Sequence, residues 1–347
     1  KSYDRKLGSL KMITIKIGDC FEVLKTLPRD HFHTVVTSPP YYGLRDYNTG
    51  TWVGGDPNCP HKRLTKISKD TATGHANMYE HGDVVGDAIY RQECPNCGAK
   101  RQDSQIGLEL TPQDYVTRLV EVFREVRHTM KEEGTLWLNL GDSYHNYRAD
   151  GANVKQTFHN GKHDQPDVSP NRANRLEGLK EKDLIGIPWR VALALQEDGW
   201  YLRQDIIWHK PNPMPESVKD RCTKAHEYIF LLSKKSHYYF DHEAIQEEAS
   251  QELETKNKRS VWTVNTKPYK DAHFAVFPTD LIEPCIKAGC PRDGHVLDPF
   301  GGSGTTGLVA DRLNRNATII ELNKDYIKIA ENRIMGETPL FTKLNIE

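Results

Sequence analysis

Apolar residues along this chain fall into short strand-like runs separated by amphipathic stretches. Met12 to Ile17 alternates apolar and polar positions and predicts a half-buried strand, followed by a short helix over Phe21 to Leu27. Thr34 to Thr37 predicts a second strand. Thr111-Pro112 pairs an N-cap residue with proline at the first helical position, and Val116, Leu119, Val120 and Phe123 then share one face. Thr135 to Leu140 predicts the next strand, and Ile187-Pro188 opens a helix through Val191 and Leu195. Strands follow at Asp205 to Trp208 and Tyr228 to Leu232, the latter as a hairpin partner of the former. His295 to Phe300 reads as a short buried strand running into a helix with Leu308, Val309 and Leu313, and Ala317 to Ile320 as one more strand. Strands alternating with helices imply an α/β fold built on a doubly wound, mainly parallel sheet.

Two long polar segments interrupt this pattern, over 43–106 and 144–183. Loops of such length inside a compact domain are usually functional or partly disordered. The first holds Cys59-Pro-His61 and Cys94-Pro-Asn-Cys97-Gly98, where a glycine after C-x-x-C supplies a tight turn that aims two sulfurs at one point. Cys59, His61, Cys94 and Cys97 form a donor set suited to tetrahedral zinc, although C-x-H is a nonstandard first half. Unpaired thiols and a redox pair are the competing readings, and the latter lacks its βαβ setting. Cys20, Cys222, Cys285 and Cys290 have no comparable spacing and are expected to be buried packing residues.

Composition narrows the partners. The 347 residues include 47 Lys plus Arg against 48 Asp plus Glu, so no global basic field announces a polyanion, and any nucleic-acid surface must be local. Candidate patches are 155–175, Lys180 with Lys182, Lys219 to Lys224, and Lys256 to Arg259. No signal peptide or run long enough to span a bilayer is visible, which predicts a soluble intracellular protein that uses no membrane.

Two motifs at strand ends carry the chemistry. Thr34-Val35-Val36 runs into Thr37-Ser38-Pro39-Pro40-Tyr41, where two prolines stiffen the chain and leave carbonyls without internal partners. The Pro39 carbonyl and Ser38 hydroxyl can accept hydrogens from a planar amino-bearing base while Tyr41 stacks on its ring. Near the other end, Asp298-Pro299-Phe300 precedes Gly301-Gly302-Ser303-Gly304-Thr305-Thr306-Gly307, a glycine turn that lets a ligand approach a helix N-terminus. Glu321 stands about twenty residues later, where an acid accepts from ribose hydroxyls. Gly302, Gly304 and Gly307 also fit the dinucleotide pattern, and Leu308 stands where a P-loop needs lysine. A carboxylate at Asp298 suits the amino and sulfonium end of S-adenosylmethionine better than a pyrophosphate.

These two motifs together resemble those of DNA amino-methyltransferases, which methylate the exocyclic nitrogens of cytosine or adenine. The catalytic motif comes first and the cofactor motif last, as in the circularly permuted beta class. Gly18-Asp19-Cys20, Trp208-His-Lys-Pro-Asn-Pro-Met214 and His273-Phe-Ala-Val-Phe-Pro278 fit the same resemblance, which covers about Ile13 to Ile334. It implies a Rossmann-like, S-adenosylmethionine-dependent catalytic domain over 12–42 and 107–334, into which the segment 43–106 is inserted as the zinc-binding subdomain read from its own donor spacing, with 144–183 and 243–270 as candidate DNA-recognition insertions. Ser38, Pro39, Pro40 and Tyr41 are then the catalytic residues. Asp19, His273, Asp298, Phe300, Gly301, Gly302, Gly304, Thr305 and Glu321 are the expected cofactor contacts. Asp19 reads equally as a helix cap, Phe300 and Phe277 as core residues, and Asp142 is left without a role.

The partner implied is double-stranded DNA, whose target base must be flipped out to reach such a pocket. In the family, Ser before Pro-Pro-Tyr is commoner among cytosine-N4 enzymes and Asp or Asn among adenine-N6 enzymes, so N4 of cytosine is expected, with N6 of adenine as the alternative. An RNA or protein amide methyltransferase is a further alternative, and a zinc-containing nucleic-acid binding module is the non-enzymatic one.

Overall fold

The computed structural model describes residues 10–43, 49–61, 93–145, 178–248, 254–267, 276–337 and 342–347. His273 and most of 144–183 therefore lie outside the described residues. In chain order the elements are β1 (Lys11–Ile17), α1 (Cys20–Leu24), β2 (Phe32–Thr37), β3 (Thr51–Val53), β4 (Lys100–Gln102), α2 (Pro112–Thr129) and β5 (Met130–Leu140). Then come α3 (Ile187–Glu197), β6 (Tyr201–His209), β7 (His226–Ser233), β8 (Glu247–Glu248), β9 (Thr255–Lys256), β10 (Val261–Thr263) and α4 (Thr279–Gly289). The last are β11 (His295–Asp298), α5 (Thr305–Arg312), β12 (Asn316–Glu321), α6 (Lys324–Glu337) and β13 (Thr342–Ile346). The chain divides into two units, and the described residues 49–61 and 93–105 make up the smaller one.

In the larger unit nine strands pair in the order β10-β6-β7-β5-β2-β11-β12-β1-β13. Only β7 runs against its neighbours, β5 and β6, and the other pairings in this sheet are parallel. A strand covered on both faces needs apolar side chains at successive positions, because they point alternately up and down. On β5, Leu136, Leu138 and Leu140 face one cluster and Trp137 the other; on β7, Phe230 and Leu232 oppose Ile229 and Leu231. Helices α1, α2 and α3 bury their apolar sides in the first cluster, and α4, α5 and α6 in the second.

The capping chemistry anticipated for α2 is present: the Thr111 hydroxyl accepts from the Asp114 N–H at 3.1 Å. The hairpin of β6 and β7 is present too, and β7 also pairs with β5, which draws it into the middle of the sheet. Of the cysteines expected to be buried, Cys20, Cys285 and Cys290 are, and burial pushes the Cys20 and Cys290 thiols up to about 12. Cys222 is exposed instead, because its segment lies in the long polar connection between β6 and β7.

The arrangement places the ends of β2, β5, β11, β12 and β1 side by side. Antiparallel β7 begins where they end, with Glu227 opposite Trp208 and Tyr228 opposite Leu140.

Candidate active site and metal cluster

Ser38 to Tyr41 leave the carboxyl end of β2 between its neighbours β5 and β11. The buried Tyr115 of α2 donates its hydroxyl to the Pro40 carbonyl at 2.8 Å, and the Gly43 N–H donates to the Gly107 carbonyl at 2.8 Å. The Pro39 carbonyl accepts no hydrogen bond among the described residues. Tyr41 is clamped. Its hydroxyl donates to Glu227 Oε2 at 2.7 Å and lies 3.2 Å from Asn139 Oδ1. Burial, together with the negative Glu227, holds the phenol well above its ordinary pKa. One edge of the ring lies over Gly141, where a Cβ would stand 2.4 Å from Cε2, so any larger residue there would displace the ring.

Glu227 is ion-paired with Lys210, and the Asn139 amide donates to Glu227 at 3.3 Å and to the Tyr228 carbonyl at 3.0 Å. Sequence reading missed Tyr115, Asn139 and Glu227. Asn139 carried a usable signal, since it is the one amide in an apolar run, Leu136-Trp137-Leu138-Asn139-Leu140, and a buried amide demands partners. Asp142 acquires a structural role. Its Oδ1 accepts from the N–H groups of Gly186 and Ile187 at 3.0 and 3.1 Å, capping α3.

The second motif lies at the ends of β11, β12 and β1. Asp298, 1% exposed, accepts from the Thr37 and Thr306 hydroxyls at 2.6 Å each and from the Phe300 N–H at 3.0 Å. Burial nevertheless pushes its carboxyl up to about 6. These hydrogen bonds tie the glycine turn to the end of β2. Glu321 accepts from the Gly302 and Asn323 N–H groups at 2.7 Å each, and burial raises its pKa as well, with Asp298 adding to the shift.

Neither carboxylate has an ion-pair partner among the described residues. The Gly302 N–H that a pyrophosphate would need already holds a carboxylate, and the local field is negative. The Asp298 carboxylate fits the cationic methionine end of S-adenosylmethionine, and the negative field disfavours a dinucleotide.

The remaining expected cofactor residues divide. Gly302 has φ +50°, and a Cβ there would meet nothing closer than 4.0 Å, so the space beside it is open. Gly301 and Gly304 are glycines for packing: a Cβ would approach Ile319 Cβ to 3.0 Å in the first case and Ala330 Cβ to 2.8 Å in the second. The Thr305 hydroxyl is buried and accepts from Arg333 of α6 at 2.8 Å. Phe300 packs half-buried against the first core cluster, and Phe277 against the second. Asp19 caps α1 through the Glu22 N–H at 3.1 Å, beside the β1–β12 contact in which the Gly18 N–H donates to the Glu321 carbonyl at 3.0 Å.

Several of the anticipated basic patches are neutralised. Lys258 and Arg259 both pair with Glu247, Lys182 with Asp220, and Arg221 with Glu216. Lys219 and Lys224 form no ion pair among the described residues, and burial lowers the Lys224 pKa.

In the smaller unit, β3 and β4 form an antiparallel pair, and Trp52 stacks on His61 with ring centroids 4.5 Å apart. The Cys94 carbonyl accepts from the N–H groups of Cys97 and Gly98 at 3.3 and 2.7 Å, and Gly98 takes φ +70°, the turn expected after C-x-x-C. Cys59, His61, Cys94 and Cys97 converge, with one donor atom from each lying within 4.8 Å of the others. The Cys59 and Cys94 sulfurs are 3.7 Å apart, and Cys97 Sγ is 3.5 Å from His61 Nδ1. A tetrahedral zinc with ordinary bond lengths sets sulfur–sulfur edges of about 3.8 Å and sulfur–nitrogen edges of about 3.5 Å. The cysteines are unbridged, and the four residues fit that ion.

A family model described as DNA methylase matches residues 32–332. The type II methyltransferase M.SmaI of Serratia marcescens is 43% identical over 334 residues, spanning 94% of this chain and 92% of that protein. The type II methyltransferase M.Cfr9I of Citrobacter freundii is 42% identical over 330 residues, 93% of this chain and 88% of that one. Among solved structures, the cytosine-N4-specific PvuII DNA methyltransferase superimposes with a TM-score of 0.57 at 18% identity, covering 98% of this chain and 99% of that one. A putative DNA modification methylase from Thermus thermophilus complexed with S-adenosyl-L-methionine gives 0.54 at 20% identity, covering 96% and 99%. These two likenesses establish the fold, and no described helix is long and apolar enough to cross a membrane. Motifs, topology and relatives agree: the chain belongs to the DNA methylase family and is an S-adenosylmethionine-dependent DNA amino-methyltransferase.

Proposed function

We propose that this enzyme methylates N4 of cytosine in double-stranded DNA, acting on a base flipped into the Ser38–Tyr41 loop. The observation that carries the reading is the neutral Ser38 hydroxyl at the end of β2, beside a Pro39 carbonyl that accepts no hydrogen bond among the described residues. Those two oxygens accept the amino hydrogens, and the hydroxyl can instead donate to cytosine N3. An aspartate at that position would impose a full charge.

Tyr115, Gly107 and the Tyr41 clamp hold the loop in one geometry, and positioning of this kind contributes about 7–11 kcal/mol to such a reaction. Asp298 supplies negative charge to the amino and sulfonium end of the cofactor seat, and Glu321 accepts from the ribose hydroxyls. Gly301, Gly302, Gly304 and Thr305 shape its turn, Phe300 and Asp19 flank it, and His273 belongs to it by motif alone. Bound there, S-adenosylmethionine supplies an electrophilic methyl group and leaves as the neutral thioether. The amino nitrogen forms the new bond to carbon, and its surplus proton passes to water.

Cys59, His61, Cys94 and Cys97 are assigned to one structural zinc, and 144–183 and 243–270 to DNA contact. Elemental analysis of the purified protein is expected to find close to one zinc per chain. Digestion of methylated DNA to nucleosides, followed by mass spectrometry, tests the base assignment: N4-methylcytosine is expected, and N6-methyladenine as the sole product would overturn it.

A further inference from the structure

The connection that follows β6 carries Pro211, Pro213 and Pro215 around Met214, whose side chain is 87% exposed. Prolines fix φ and keep their neighbours extended, so this tip is stiff. It is also anchored on both sides. The Asn212 amide donates to the Thr266 carbonyl at 3.1 Å and accepts from the Thr266 N–H at 2.9 Å. Glu216 accepts from Arg221 Nη1 at 2.6 Å and from the Lys224 N–H at 3.4 Å. A large apolar side chain on a rigid mount, held away from the core, contributes nothing to folding.

Its place in the site is set by Lys210, whose ion pair with Glu227 leads to the Tyr41 hydroxyl. Met214 stands four positions after Lys210, and a fully extended chain of that length spans at most about 14 Å. The tip therefore stands within one short segment of the clamp on the catalytic loop. Lys219, exposed, and Lys224, half-buried, lie in the same connection and form no ion pair among the described residues, a charge complement to a phosphate backbone.

We propose that Met214 is an intercalating tip that enters the base stack beside the target and fills the space left when that base rotates into the Ser38–Tyr41 pocket. A flipped base leaves its former neighbours unstacked, and proteins that open a duplex commonly insert an apolar wedge at such a step. Methionine is unbranched and polarizable, and so adapts to the faces of either neighbouring base. The proposal rests on the reading that the target base is flipped out of the duplex, but not on whether that base is cytosine.

The test begins by mapping the methylated position in DNA from an expressing host and building a short duplex around it. Methyl transfer by the full-length enzyme is then measured on that duplex and on one in which the target base faces an abasic residue, where the helix is already open. Met214→Ala is expected to lower kcat/KM roughly 10- to 100-fold on the paired duplex and less than about threefold on the abasic one. Met214→Leu, which keeps the apolar bulk, is expected to stay within about threefold of the parent on both. An equal loss on the two duplexes, or no loss on the paired one, overturns the proposal. Nucleoside analysis of the same reactions decides cytosine against adenine separately, so the base assignment can fail while the tip stands.

Discussion

The cofactor seat and the cysteine–histidine cluster are both gatherings of polar groups, but they are held together differently. Asp298 and Glu321 sit at the ends of strands whose Val296, Leu297, Ala317, Ile319 and Ile320 are buried in the two apolar clusters, so the seat is assembled by the sheet itself. In the smaller unit, Cys94 and Ala99 are the buried apolar residues among those described, β3 and β4 have three residues each, and the ion pair of Arg101 with Asp103 does part of the packing. If the four donors hold the proposed zinc, the seat precedes its ligand and the cluster is made by it.

Metal removal should break this contrast most visibly. Structural zinc contributes about 10–16 kcal/mol in small metal modules. A chelator, or Cys94→Ser, is expected to abolish amide protection over 49–61 and 93–105 while β1, β11 and β12 stay protected in hydrogen exchange. Simultaneous loss in both regions would show that the sheet depends on the metal as well.

Within the larger unit, Ser38→Ala separates chemistry from cofactor binding. A single positioned hydrogen-bonding or proton-handling group is worth roughly 10²–10⁴-fold in turnover, and kcat is expected to fall in that range while the affinity for S-adenosylmethionine is unchanged. Undiminished turnover would remove Ser38 from the mechanism. Glu321→Ala sharpens the other half. Losing a charge-assisted contact of about 1.5–3 kcal/mol should weaken S-adenosylmethionine roughly 10- to 150-fold, as read by equilibrium binding.

Much of this was legible in the sequence because the signals were local. The alternation of Met12 to Ile17, the Thr111-Pro112 start, the glycines after Asp298 and the C-x-x-C turn are each fixed within a few residues. What escaped was non-local or masked by a contrary local signal. Helix α4 contains Pro284, which reads as a break, and β13 is a short edge strand with little apolar content. Residue 227 gives no sign in sequence that it will meet residue 41, since their contact exists only because β7 reverses direction and starts where β2 ends. Asp298 was legible as a functional acid, yet its hydrogen bonds to Thr37 and Thr306 join two motifs 261 and 8 residues distant from it in the chain, and only the fold shows them.

The proposed role of Asp298, a buried carboxylate with no cationic partner among the described residues, in seating the amino and sulfonium end of S-adenosylmethionine is tested most directly by pH. Asp298 titrates near 6 in the folded protein against 3.8 for the unperturbed group, so in the unliganded enzyme its contribution to stability falls as pH rises through that interval. A cationic ligand prefers the ionised form, which gives cofactor affinity the opposite slope. Calorimetric titration with S-adenosylmethionine from pH 8 to pH 5 should show a plateau above about 6 and then a loss approaching tenfold per pH unit below it. An affinity that stays level down to pH 5 would contradict the account.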